Sequence, residues 1–401
     1  MPRPGPAEVG SAQEITSGAG RAKAWKPANK AAIARTAPAM RTFEVLMRVS
    51  RIDCMGRIVP PDGPRRPEAG LNRPEALSLP RQTGAAGASK IPFMTDTPYS
   101  PRRPGRSRFV DLRGLRYHLH EWGDASQAGP GRPTLVMLHG WMDVGASFQF
   151  AVDALAAIEG EVRHVIAPDW RGFGLSDSPG SDCYWFPDYL GDLDALLDTL
   201  PGAPQPIDLL GHSMGGNVAM VYAGVRPERI RRLVNLEGFG LPETRPAQAP
   251  KRYLQWLDEL KQPMELRPYD SLDAVAKRLR KTNPLLRPDR AAWLAGHWSR
   301  PDADGRWRIL GDPAHKRANP VLYQRAEVLA CWQRIAAPLL WVEGDQTDVA
   351  KWWGDRYPRS DFEARLALVP QAERQLLSPA GHMLHHDQPE ALAAHLARFL
   401  G

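Results

Sequence analysis

Cysteine is scarce in this chain: Cys54, Cys183 and Cys331 are the three among 401 residues. They lie too far apart for a disulfide framework or a metal-type cluster, which points to a reducing compartment and a cytoplasmic protein. None sits in a nucleophile pattern, so they are read as inert thiols. No stretch of 18 or more apolar residues occurs, so no membrane span is expected. The N-terminus also lacks the apolar core of a secretory signal. A strong charge of one sign is missing from most of the chain as well. The formal charge of +7 suggests a nucleic-acid or anionic partner until it is located. Residues 1–93 carry 15 Lys and Arg against 7 Asp and Glu, leaving 37 against 38 in residues 94–401. The body is neutral, and no nucleic-acid partner is expected there.

What the first hundred residues do have is Ala, Pro, Gly and Arg, with one short apolar patch from Phe43 to Val49. Such a composition buries too little apolar surface to offset the entropy of ordering, so 1–105 is read as a disordered basic leader. Met94 opens a stretch that runs at once into patterned sequence, and a natural start near Met94 is expected. From Arg108 the pattern changes. "RFVDLRG" and "LRYHLHEWG" alternate apolar and polar residues around Arg113-Gly114, as a hairpin should. "PTLVMLHG", "RHVIAPDW", "PIDLLGHS" and "RRLVNLEG" are continuous apolar runs of the kind that form buried parallel strands. Amphipathic stretches separate them, notably 147–158 and 188–200, and Pro227 ends the helix after Ser213. The alternation stops after Phe239 and resumes near Pro320, with "APLLWVEGD", a helix near 361–368, "ERQLLSP" and a last helix from Pro389 to Leu400. The interruption is helical, proline-segmented and rich in tryptophan. Strands alternating with helices imply an α/β fold with a helix-covered, mostly parallel sheet.

Gly211-His212-Ser213-Met214-Gly215-Gly216 stands between a buried strand and a helix. That setting fits a nucleophile elbow, a sharp turn that lifts a serine hydroxyl above the sheet with a helix N-terminus behind it. Ser213 is the expected nucleophile, and His212 is read as a positioned neighbour. His382, in the loop between the last strand and the last helix, is the expected base. His385 and His386 fall at the approach to the Pro389 helix, where solvated or capping roles are expected. The oxyanion hole is assigned to the backbone N–H groups of Met214 and Trp141. His139 is expected to hold the Trp141 loop, Asp143 to brace it, and Asp169 with Arg171 to form a structural ion pair. Trp256, Trp293 and Trp298 are expected to line an apolar acyl pocket.

"LHGWMD", "PDWRGFGLSD", "GHSMGG" and "AGHMLHHDQPE" occur in an order and spacing that resembles the α/β-hydrolase superfamily, over about residues 106–400. The combination looks most like its serine-hydrolase-like and esterase branch. The resemblance implies an eight-stranded sheet, a helical cap at about 240–320 inserted after strand six, no metal and no organic cofactor. Relatives that use Asp at the elbow, the dehalogenases and epoxide hydrolases, differ at Ser213. The third catalytic residue departs from the family pattern, which usually carries an acid three residues after the glycine ending strand seven. Thr347 occupies that place here, flanked by Asp345 and Asp348. Asp348 fits if the loop holds one extra residue; Glu237, at the end of strand six, and Asp345 are the alternatives.

The expectation is therefore a cofactor-independent serine hydrolase acting on small-molecule carboxylic esters with a hydrophobic acyl or aryl group. A thioesterase and a C–C bond hydrolase of aromatic ring-cleavage products are the enzymatic alternatives, the latter drawing on Arg252, Arg278 and Arg280. A non-catalytic binding protein on the same fold is the alternative of another class. Oligomeric state is not legible in the sequence.

Overall fold

The computed structural model describes residues 98–401 and two short strands, Arg51–Ile52 and Ile58–Val59, that pair with each other. Apart from that pair and residues 98–105 the expected leader lies outside the described residues, as do the 43–49 patch and Met94. The leader boundary at 105 needs correction. Asp153 accepts hydrogen bonds from the Tyr99 hydroxyl (2.6 Å) and from the Arg102 and Arg103 amides (3.0 and 2.8 Å). The Tyr99 ring meets Phe150 edge-on, so residues 98–105 are built into the domain.

Eight strands form one sheet: β1 (Arg106–Leu112), β2 (Leu115–Trp122), β3 (Leu135–Leu138), β4 (Val165–Pro168), β5 (Ile207–His212), β6 (Ile230–Leu236), β7 (Leu339–Gly344) and β8 (Ala372–Leu377). Their order across the sheet is β1-β2-β4-β3-β5-β6-β7-β8. Arg113 and Gly114 turn the β1–β2 hairpin with positive φ, as their position requires. β2 runs antiparallel to both neighbours, and every pairing from β4 to β8 is parallel.

The parallel strands are buried on both faces, which is why they read as unbroken apolar runs. On one face Leu193, Val218, Trp332 and Phe362 pack on Val136, Leu209, Leu233 and Trp341. These come from helices α2 (Phe186–Asp198), α3 (Met214–Val225), α7 (Arg325–Trp332) and α9 (Arg359–Leu366). On the other face Leu155 of α1 (Gln149–Glu159) and Leu392, Leu396 and Leu400 of α10 (Pro389–Leu400) cover Met137, Leu210, Val234 and Leu340.

The chain leaves β3 toward β4 and returns past it to β5, so the strand order reverses at β3. The carboxyl ends of strands at such a switch point leave a crevice in which ligands bind. Ser213 follows β5 and the Trp141 loop follows β3, so this topology brings the two together.

Between β6 and β7 the sheet is interrupted by α4 (Ala249–Leu260), α5 (Leu272–Thr282), α6 (Pro288–Trp298) and a small antiparallel ladder, Ser299–Pro301 with Trp307–Ile309. Val275, Leu279, Leu294 and Ala295 of α5 and α6 form a cluster of their own that reaches Phe150. α4 buries none of its residues fully. Among the described residues no helix is long and apolar enough to cross a membrane.

Candidate active site

Ser213 caps α3 in a backbone conformation (φ 52°, ψ −113°) that side-chain-bearing residues rarely adopt. The turn closes because its flanking positions have no side chains. A Cβ on Gly211 would lie 2.3 Å from the Gly215 carbonyl oxygen, and one on Gly215 would lie 2.2 Å from that of Leu138. The Ser213 amide donates to Leu236 O (2.8 Å), which ties the elbow to the end of β6.

The Ser213 hydroxyl stands 3.0 Å from His382 Nε2, and His382 Nδ1 stands 2.6 Å from Glu237 Oε2. With the ring proton on Nδ1, the hydroxyl donates to Nε2 and Nδ1–H donates to the carboxylate, one continuous chain of hydrogen bonds. Glu237 is almost fully buried and has positive φ (56°) at the end of β6. Its turn is pinned by Asn235, whose side chain accepts from the Gly238 amide (2.7 Å) and donates to Gly238 O (3.2 Å). The other carboxylate oxygen accepts from the Gly344 amide (2.7 Å).

Asp348, the acid favoured in the sequence, stands elsewhere. Its exposed side chain accepts from the Ala350 amide (3.0 Å) at the start of α8 (Ala350–Trp353) and lies 3.7 Å from Lys351. Asp345 accepts from the Ser378 hydroxyl (2.7 Å) and the Ala380 amide (2.9 Å), bracing the segment that leads to His382. Thr347 holds the place where the family pattern has its acid, and its hydroxyl donates to Glu237 Oε2 (3.0 Å). β6 lies between β5 and β7, so its end reaches His382 from the other side, and a glutamate adds the length of one methylene.

His382 is fixed through its backbone. His212 Nε2–H donates to the His382 carbonyl (2.8 Å), and the Gly381 amide donates to Asp387 (2.9 Å). Burial holds the His212 imidazole well below its ordinary pKa, which keeps it neutral. Gly381 has no positive φ, so its freedom is not what places His382; the non-glycine positions with positive φ around the site are Met142, Ser213 and Glu237. The Trp352 ring meets the His382 ring edge-on, with centroids 4.6 Å apart. Sequence reasoning passed over Trp352; "KWWG", an aromatic pair directly after the Asp348 loop, is the signal that was there.

Among the described residues the Met214 and Trp141 amides have no backbone or side-chain acceptor. The Trp141 loop approaches the elbow closely, since a Cβ on Gly140 would lie 3.3 Å from that of Ser213. His139 holds this loop. Its Nε2 accepts from the Trp170 amide (2.9 Å), its carbonyl accepts from the Trp170 indole (3.1 Å), and Nδ1 faces Gly140 O (2.7 Å). Burial lowers its pKa to about 4.

Asp143 Oδ1 accepts from the Val144 amide (2.9 Å), the Ser147 hydroxyl and the Trp298 indole (3.0 Å), so the loop is also joined to α6. Burial raises the Asp143 carboxyl to about 7. Asp169 and Arg171 do not pair. Asp169 bonds His118 (2.7 Å) and the Gly145 amide (2.7 Å), while Arg171 is bound by the buried Asp192 (2.5 and 2.6 Å). His385 and His386 are buried rather than solvated. Of the tryptophans expected to meet substrate, Trp293 packs against Tyr99, Phe150 and His297. Trp298 is tied to Asp143, and Trp256 lies half-buried on α4.

A model of the alpha/beta hydrolase fold matches residues 133–389. A serine hydrolase-like protein of Dictyostelium discoideum is 24% identical over 300 residues, 72% of this chain and 79% of that protein. A 2-hydroxymuconate semialdehyde hydrolase of Pseudomonas sp. (strain CF600) is 34% identical over 145 residues, 34% of this chain and 45% of its own length. Among solved structures, a thioesterase domain from the curacin biosynthetic pathway is similar with a TM-score of 0.62 and 27% identity, over 73% of this chain and 99% of that one.

Proposed function

This chain belongs to the alpha/beta hydrolase fold family, and from that premise we propose that it cleaves carboxylic esters with a hydrophobic acyl or aryl group, using Ser213 as nucleophile. The observation that carries this reading is the hydrogen-bonded chain from Ser213 Oγ through His382 to Glu237. Each member does what an acyl transfer needs. His382 Nε2 takes the hydroxyl proton as Ser213 Oγ attacks the carbonyl carbon. The imidazolium that forms lies against the Glu237 carboxylate, which is held by Gly344 and Thr347 and needs no reorganisation.

The oxyanion is received by the Met214 and Trp141 amides, at the N-terminus of α3 and in the loop after β3. His382 then returns the proton to the leaving alkoxide, and a water activated by the same nitrogen hydrolyses the acyl-enzyme. Trp141, Met142 and Met214 pack against the same apolar cluster, and the Trp352 ring meets His382 edge-on, which supports an apolar acyl or aryl group. The same attack serves a thioester, and the likeness to a thioesterase domain favours that as the second reading.

A fluorophosphonate probe tests the nucleophile: labelling of Ser213, mapped by peptide mass, is expected, and loss of labelling in Ser213→Ala. A folded wild-type protein that resists the probe would defeat the reading. Rates on matched esters and thioesters of rising acyl length then separate the two substrate classes.

A further inference from the structure

Beyond His212, whose ring lies near those of both His382 and His385, is a cluster that the hydrolytic reading does not use. Asp143, His385 and His386 each offer a ligand atom, and these atoms all lie within 4.8 Å of one another. All three residues are buried, with fractional exposures of 3%, 0% and 3%. Asp143 Oδ1 already takes three donors, from Val144, Ser147 and Trp298, which turns Oδ2 toward the histidines. Oδ2 has no hydrogen-bond partner among the described residues; neither has either nitrogen of His385, nor His386 Nε2.

Asp143 Oδ2 and His385 Nε2 are 3.9 Å apart, too far for a hydrogen bond. Among the described residues no Lys or Arg lies within ion-pair distance of this carboxylate. Arg290, which donates to the His386 carbonyl (3.2 Å), is engaged by Glu390 (2.8 Å). A buried acceptor set left this open costs several kcal/mol unless something fills it.

We propose that Asp143, His385 and His386 bind a divalent transition-metal ion of the Zn2+ or Co2+ kind, and that the bound ion slows hydrolysis. Two imidazoles and one carboxylate form a donor set that suits such ions, with a water completing four-coordination. Tetrahedral ligands about 2 Å from zinc lie roughly 3.3 Å from one another, so the site closes by less than about 1.5 Å from its present span.

The ion is placed to act on His382. The His385 ring is 4.5 Å from that of His212, and the His212 ring is 4.8 Å from that of His382, centroid to centroid. A divalent charge at that remove disfavours the imidazolium on which the reaction depends, whatever acyl substrate is attacked. Asp143 and Trp141 share the loop after β3, and His385 follows His382 by three residues, so the ion also cross-links both sides of the site. The ligands are separated by some 240 residues in sequence, which is why no metal-type spacing announced them.

The test uses the full chain, stripped with EDTA and dialysed. Titration with Co2+ is expected to give one equivalent bound, with visible absorption typical of a low-symmetry site, displaced by Zn2+. X-ray absorption of the Zn2+-loaded wild type should show imidazole in the first shell, a readout that needs no variant. His386→Gln and Asp143→Asn should each lose the Co2+ spectrum while keeping the wild-type circular dichroism. The ratio of ester-hydrolysis rates without and with Zn2+ should be about tenfold or more in wild type and near one in His386→Gln. Failure to bind Co2+, a spectrum unchanged in His386→Gln, or a shell without imidazole overturns the site. Binding with an unchanged rate overturns the inhibitory action and leaves the Ser213 reading untouched.

Discussion

Replacing Glu237 by Gln is the sharpest probe of the candidate site, because both carboxylate oxygens are committed to donors. Oε1 accepts from Gly344 N–H, and Oε2 accepts from His382 Nδ1–H and the Thr347 hydroxyl. A carboxamide has one oxygen. If that oxygen faces Gly344, the NH2 faces His382, and the ring answers by keeping its proton on Nε2, where it can no longer accept from Ser213. If the oxygen faces His382, the NH2 meets the Gly344 N–H donor to donor, an unsatisfied buried pair costing about 1–3 kcal/mol. The first arrangement is the equivalent of removing a triad carboxylate, about 10⁴ in kcat or roughly 5 kcal/mol in barrier. Asp348→Asn removes only an exposed contact at α8 and is expected to change kcat less than about twofold. Steady-state hydrolysis of a p-nitrophenyl ester measures both variants, with circular dichroism as the check on folding. A Glu237→Gln enzyme within about tenfold of wild type, or a collapse in Asp348→Asn, would refute the reasoning. Thr347→Asp in the Glu237→Gln background places a carboxylate at the family's usual position, and partial recovery of kcat is expected.

Two further outcomes follow from the surroundings. His139 accepts the Trp170 amide through Nε2 and has its pKa lowered to about 4, so below the unfolded value near 6.5 the unfolded chain binds more protons. Its contribution is complete above about pH 6.5 and is lost as pH falls toward 4, up to about 3 kcal/mol. Urea denaturation at pH 7, 5.5 and 4.5 should show a shallower acid loss in His139→Gln than in wild type, and equal slopes would refute the assignment. Trp352→Ala removes the ring that packs edge-on against His382; kcat/KM should fall about 3- to 10-fold, with Trp352→Phe recovering most of it. An unchanged kcat/KM would take Trp352 out of the site.

The sheet was legible because burial on both faces writes itself as unbroken apolar runs, as at Leu135–Leu138 and Ile207–His212. The meeting of Ser213 and His382 was legible because each stands in the local setting expected of such a pair. The carboxylate that meets His382 was not. Choosing among Glu237, Asp345 and Asp348 requires knowing which strand end faces the histidine, and that is set by sheet order rather than by local pattern. The same limit explains the other differences. The partners of Asp169, Arg171 and Asp153 are side chains or amides tens of residues away, brought close only by packing. His385 and His386 look like solvated residues ahead of a proline until α1 and the oxyanion loop close over them.

The position of Glu237 also bears on how this enzyme can change. An acid carried after β7 would be separated along the chain from the serine by the whole segment between β6 and β7, as His382 is. Here Ser213 and Glu237 are 24 residues apart on adjacent strands, both upstream of α4. Recombination or laboratory grafting can therefore exchange the α4–α6 region as a cassette while Ser213 and Glu237 stay together on one inherited stretch of chain.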